Sequence, residues 1–209
     1  MFNFDNVLYA VLDMPILPFS NRQEITQIYH QHRSDINKEE NSISGSYWQG
    51  ITCYKSALYE PKNLLYPGPH IDLGHLMQDE IAILTQHLPI AIETISLWTN
   101  SCFVPSHVDA KIYDTDLVFR FRFVLAQEKK SFFIDYEGVK KYISLPATSN
   151  VFCFNNAVIK HGATYDETND KILGVVRGKI TDQEKLKTLL ESSIDRYRDL
   201  CFLKNNYKN

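Results

Sequence analysis

His107, Val108 and Asp109 set an imidazole and a carboxylate two residues apart, and His161 follows 54 residues further on. In an extended segment alternate side chains point to the same side, so a triplet at a strand end can aim both groups at one ion. An HxD triplet by itself is more often a surface turn than a ligand pair. Here Pro105 and Ser106 read as a strand exit before it, and His161 lies on a predicted strand late in a long β region, so three ligands can converge inside a barrel. Two imidazoles and one carboxylate on one face of an octahedral ion leave the opposite positions open for a bidentate co-substrate and oxygen, the ligand logic of non-haem iron(II). Zinc accepts the same donors and keeps one position for water, so ligand type alone does not name the metal.

A rival triplet, His70-Ile71-Asp72 with His75 behind it, follows Pro67-Gly68-Pro69 and precedes a helical pattern. That context makes Asp72 a helix cap, not a ligand. His30 and His32, two apart on a predicted helix, face different directions and are expected to be solvated, as is His87.

Leu117 to Leu125 alternates Leu117, Phe119, Phe121, Phe123 and Leu125 with Val118, Arg120, Arg122 and Val124. The aromatic face must be buried. The arginine face is either solvated or, in a barrel, turned to the lumen, where guanidinium groups would need an anion such as a small carboxylate. Lys171 and Arg177 share a face of the last strand, but six residues at ~3.3 Å each separate them by roughly 20 Å, too far to hold one carboxylate together.

Ser20 or Asn21 can cap a helix to about Ile36. Tyr47 to Lys55 and Ile92 to Trp98 read as strands, with helical spacing over Leu73 to Leu88 between them. Past Phe103 the pattern is almost wholly β: Leu117 to Ala126, Ser131 to Asp135, Lys140 to Ser144, Val151 to Phe154, Val158 to Thr164 and Ile172 to Ile180. A helix capped by Thr181 then runs to about Leu203. The predicted fold is α+β: one domain over 1–209, helical and mixed over 1–100, a jelly-roll or cupin-type double-stranded β-helix over 101–180, and a C-terminal helix over 181–203.

Length, 44% apolar residues and 12% aromatics suffice for one core. A net charge of −3 and a pI near 6.2 give no reason to expect nucleic acid or an acidic membrane as partner. Cys53, Cys102, Cys153 and Cys201 form no CxxC pair and read as reduced core thiols. The apolar stretch from Val7 to Phe19 carries Asp13, Pro15 and Pro18 and is too short to span a bilayer, which predicts a soluble, cytoplasmic protein.

Pro105-Ser-His107-Val-Asp109, Phe119-Arg-Phe-Arg122, Val151-Phe-Cys-Phe-Asn-Asn156, His161 and a basic residue ten positions beyond it resemble the 2-oxoglutarate and iron(II)-dependent oxygenases. More narrowly they resemble the aspartyl/asparaginyl β-hydroxylase-like group that includes proline cis-hydroxylases. The resemblance covers about a third of the chain, from Val104 to Lys179. It implies Fe(II) on His107, Asp109 and His161, with Lys171 where the family usually has an arginine for the distal carboxylate of 2-oxoglutarate. Lysine lacks the bidentate fork, so Arg122, which matches a co-substrate position, would share that work or Arg177 would replace it. Arg120 matches a position facing the prime substrate. Trp98 and Tyr113 flank the triplet as candidates to line its pocket. The presence of Asp109, which related halogenases lack, favours hydroxylation of a small molecule such as an amino acid, with release of succinate and CO2. Two other readings stay open: a metal-free cupin-like anion-binding domain, and a zinc or other divalent-metal cupin enzyme.

Overall fold

A computed structural model of the chain describes residues 2–36, 48–59, 70–100, 104–109, 119–126, 132–164 and 172–207. In chain order its elements are β1 (Val7–Val11), α1 (Arg22–Ile36), β2 (Trp48–Lys55), α2 (Gln78–His87), β3 (Ile90–Asn100), β4 (Val104–His107) and β5 (Phe119–Ala126). There follow β6 (Phe132–Tyr136), β7 (Val139–Tyr142), β8 (Val151–Asn155), β9 (Lys160–Ala163), β10 (Ile172–Ile180), α3 (Gln183–Arg196) and β11 (Phe202–Leu203). A seven-stranded sheet runs β11-β1-β8-β5-β10-β3-β2 and a four-stranded sheet runs β4-β9-β6-β7. Among the described residues every pairing between these strands is antiparallel, and one isolated bridge, Thr52 to His70, is parallel. The result is an α+β protein whose two sheets form a jelly-roll-like double-stranded β-helix.

Register decides what each face carries. Arg122 lies opposite Phe152 on β8 and Val175 on β10, and Arg120 lies opposite Phe154. Cross-strand partners share a face, and so do residues two apart, so Arg120, Arg122, Phe152, Phe154, Val175 and Arg177 all project to one side. That side meets the smaller sheet, where the Phe132 ring packs 5.6 Å from Phe152 and 5.8 Å from Phe154. The other side carries the buried Phe119, Phe121, Phe123 and Leu125. Phe123 stands 5.3 Å from Phe19 and lies flat over Gly174, where a Cβ would fall 2.0 Å from its Cζ. Ile25, Tyr29, Leu84, Leu186 and Leu190 from the three helices join the same apolar cluster. Each large side chain so buried stabilises the fold by about 1.5–3 kcal/mol.

Several elements differ from their sequence-based bounds. Val7–Val11, to which the sequence pattern assigns no element, is a strand; both its faces are covered, so it shows no alternation. The predicted helix over Leu73 to Leu88 divides into a 3-10 turn, Gly74–Leu76, and α2; Asp72 Oδ1 accepts from the Gly74 amide at 2.9 Å just before that turn, but α2 starts after Met77 and Asp72 does not cap it. The last helix is capped by Asp182, whose Oδ1 accepts from the Lys185 amide at 2.8 Å, and not by Thr181. It stops at Arg196, seven residues short of Leu203, because Phe202–Leu203 leave it to pair with β1 at the sheet edge. Cys53, Cys153 and Cys201 are buried free thiols. Cys102 lies outside the described residues. Among those described, no helix is long and apolar enough to cross a membrane.

Candidate metal centre

β4 and β9 bring the two histidines together. Val104 pairs with Ala163 and His107 with His161, three steps on β4 against two on β9, so β4 bulges over Pro105 and Ser106. Proline has no amide to give to the ladder and suits that place. The Ser106 hydroxyl donates to the Asp135 carboxylate on β6, tying the bulge across the sheet. Opposite it sits Gly162, where a Cβ would lie 2.5 Å from Val104 O and 3.0 Å from Pro105 O. The two strands approach this closely only because Gly162 has no side chain. Gly162→Ala is therefore expected to push β4 off β9, costing about 1–3 kcal/mol of stability and weakening metal binding at least several-fold. Thermal unfolding and chelator competition would show both losses together.

His161 is buried, its ring stacked 5.5 Å from Phe132 and tilted against Phe154 at 4.5 Å. The half-buried His107 ring lies 4.4 Å away. His107 Nδ1 is 2.9 Å from the Pro105 carbonyl, which can only accept, so Nδ1 carries the proton and Nε2 keeps its lone pair for the centre. Asp109 leaves the strand end with Val108 exposed beside it. Its Oδ1 lies 3.4 Å from His161 Nε2 and 3.7 Å from His107 Nε2, while Oδ2 accepts from Arg122 Nη2 at 2.9 Å. Arg120 Nε stands 3.7 Å from the same Oδ2. The carboxylate is thus split: one oxygen for the imidazoles, one for the guanidinium groups.

Charge follows from this arrangement. Burial works against the Asp109 carboxylate, but His161, His107 and Arg122 outweigh it and hold its pKa well below the usual range. Burial pushes His161 down, only partly offset by Asp109. Burial also opposes the charged form of His107, yet its bonds to Asp109 and to Pro105 O raise it overall. Arg122 falls to about 10, chiefly through burial and with repulsion from Arg120 and Arg177, against the pull of Asp109.

Donors held ~2.0–2.2 Å from a shared ion lie roughly 3–3.5 Å apart. The Asp109 to imidazole gaps are near that spacing and too long for strong hydrogen bonds. All three ligand atoms fall within 4.8 Å of one another, and the described residues hold no other such group of His, Cys and acidic side chains. The residues fit a divalent cation.

No family model matches the sequence, and no curated protein is similar to it. Solved structures are similar in fold. One is a prolyl-4-hydroxylase from Pseudomonas putida, at 12% identity over 83% of this chain and 94% of that one, with a TM-score of 0.47. An oxidoreductase of the 2OG-Fe(II) oxygenase family from Burkholderia pseudomallei is 15% identical over 74% and 76% of the two chains, TM-score 0.40. AviO1 from Streptomyces viridochromogenes Tue57 is 14% identical over 83% and 90%, TM-score 0.43. What the centre can do follows from its own side chains.

Of the residues singled out by sequence, His107, Asp109, His161, Arg120 and Arg122 meet at this point. Arg177 is half-buried and near enough to act on the charge of Arg122. Trp98 sits two strands from Arg122, on β3, its ring covering Gly50. Lys171 and Tyr113 lie outside the described residues. Asn156 was not foreseen as part of the centre: its Oδ1 accepts from the Asp109 amide at 2.9 Å and its Nδ2 donates to Asp109 O at 2.8 Å.

One pH effect follows. A metal displaces protons from its ligands, and Asp109 and His161, both shifted down, have none to lose near neutrality. His107 is shifted up, so below its pKa a proton competes with the ion. Affinity for Zn(II), measured by chelator competition between about pH 5 and 8, is expected to be flat at the alkaline end and to fall by up to about tenfold per unit at the acid end. A flat profile throughout contradicts this charge assignment.

Proposed function

We propose that this protein is an Fe(II)- and 2-oxoglutarate-dependent oxygenase that hydroxylates a small carboxylate-bearing molecule such as an amino acid. The observation that carries the reading is the convergence of His107, Asp109 and His161 inside a β-helix, beside inward-facing arginines. Two histidines and one carboxylate, all from one side, leave sites for other ligands on the ion. Bound there, Fe(II) with 2-oxoglutarate supplies oxidative decarboxylation to succinate and CO2 coupled to oxygen insertion at a C–H bond.

The chain's own part is positioning. Pro105 O fixes the His107 tautomer, and Phe132 and Phe154 clamp His161 and keep water from that side of the centre. Arg122 gives Nη2 to Asp109 and Nη1 to Phe121 O at 3.1 Å, so it acts on the centre through Asp109. The distal carboxylate of 2-oxoglutarate then falls to Lys171 or Arg177, and Arg120, half-buried beside Asp109, meets the carboxylate of the prime substrate. Lys171→Met and Arg177→Met would separate the two anchors: the true one is expected to raise KM for 2-oxoglutarate roughly tenfold or more, as loss of a charge-assisted bond requires, and the other to leave it near wild type.

The test of function is succinate release in air from protein, Fe(II) and 2-oxoglutarate, with a panel of amino acids added one at a time. Release above background that some amino acid stimulates is expected. Protein that holds iron yet forms no succinate under any of these conditions would contradict the reading and favour a hydrolytic or binding role.

A further inference from the structure

We infer that Asn156 is a positioning residue of the metal centre, clamping the backbone of Asp109 so that its carboxylate meets both imidazoles. This rests on the reading of His107, Asp109 and His161 as metal ligands. β4 ends at His107, and among the described residues no strand ladder beyond its pairing with His161 holds the chain that delivers Asp109. Asn156 takes over where the ladder stops. Its carboxamide bonds both the N–H and the C=O of Asp109, as a neighbouring strand would, at 2.9 and 2.8 Å. Two bonds to one residue fix the orientation of that residue as well as its distance.

The clamp is itself rigid. Asn156 is 2% exposed and sits in the turn between β8 and β9, five residues before His161. Asn155 builds that turn: its carbonyl accepts from the Val158 and Ile159 amides, each at 3.2 Å, and its Oδ1 accepts from Ala157 N at 3.1 Å. The turn that leads into the strand of the second histidine therefore also holds the backbone of the carboxylate ligand. Arg122, on the neighbouring β5, holds the other end of Asp109 through Oδ2. With backbone and distal oxygen both restrained, Oδ1 alone is left to face the imidazoles. Removing a partner that orients a ligand typically weakens metal binding 10- to 100-fold, roughly the loss expected here.

The test compares wild type, Asn156→Ala and Ser149→Ala. Ser149 donates to Leu12 O at 3.0 Å, is buried and touches none of the ligands, so its variant reports a lost buried hydrogen bond without a change at the centre. Zn(II) affinity would be read by chelator competition, coordination by the visible spectrum of the Co(II) form, and stability by thermal unfolding of the metal-free protein. Asn156→Ala is expected to bind Zn(II) about 10- to 100-fold more weakly and to change the Co(II) bands, whereas Ser149→Ala only melts earlier. Asn156→Ala that is folded, with wild-type affinity and Co(II) spectrum, overturns the clamp while the metal centre stands. Wild type that takes up neither ion overturns the centre and the clamp with it. Should Asn156→Ala not fold, Asn156→Asp is read by the same criteria, since it keeps the shape and the acceptor for Asp109 N–H but not the donor.

Discussion

His161→Leu is expected to weaken metal binding by about two orders of magnitude in a protein that still folds. Leucine keeps the apolar contacts with Phe132 and Phe154 and fills much the same space, so near-UV circular dichroism should remain close to wild type. The ion loses one of three protein ligands. Four-ligand zinc sites bind with ~10–16 kcal/mol, or roughly 2.5–4 kcal/mol per ligand. At about 1.4 kcal/mol per tenfold, that is a loss of roughly 60- to 700-fold in affinity. Chelator competition with Zn(II) measures it directly, and an affinity within tenfold of wild type would mean that His161 is a core residue and not a ligand.

Arg122→Met should separate two roles that the sequence leaves open for this arginine. The structure turns two of its five N–H donors to Asp109 Oδ2 and Phe121 O, and lays its guanidinium 5.3 Å from the Phe154 ring centre. Methionine keeps a similar length and apolar stem. It also removes a buried charge that Arg120 and Arg177 repel, but it takes a partner from Asp109, so the metal-free protein should lose about 3–5 kcal/mol of stability. Metal affinity should fall about 10- to 100-fold because Asp109 is no longer aimed. At saturating Fe(II), KM for 2-oxoglutarate should stay within about threefold, less than the loss of a charge-assisted bond would give. The reverse pattern, an unchanged metal affinity with a KM raised tenfold or more, would return Arg122 to the co-substrate.

The grouping of His107, Asp109 and His161 was legible because each part of its signal is local. HxD spacing and a later histidine on a β segment need no knowledge of the partner strands. The arginine face was legible for the same reason, since alternation states which residues share a side. Partnership is another matter. That Arg122 reaches Asp109, and that Asn156 spans 47 residues to clamp it, depends on a bulge at Pro105 and on the shape of the Asn155 turn. Periodicity carries neither. β1 escaped because a strand buried on both faces is a plain apolar run that looks the same in a helix. The last helix was drawn too long because Leu200 and Leu203 continue its apolar spacing, although the helix ends at Arg196 and Phe202–Leu203 pair with β1.

Anaerobic titration of the Fe(II) protein with 2-oxoglutarate tests the central claim most directly. A co-substrate that chelates iron held by His107, Asp109 and His161 gives a weak visible charge-transfer band. That band is expected to saturate at one equivalent in wild type and to be missing in His107→Ala. Wild-type protein that holds iron yet develops no band, or a band that survives in His107→Ala, would contradict the account.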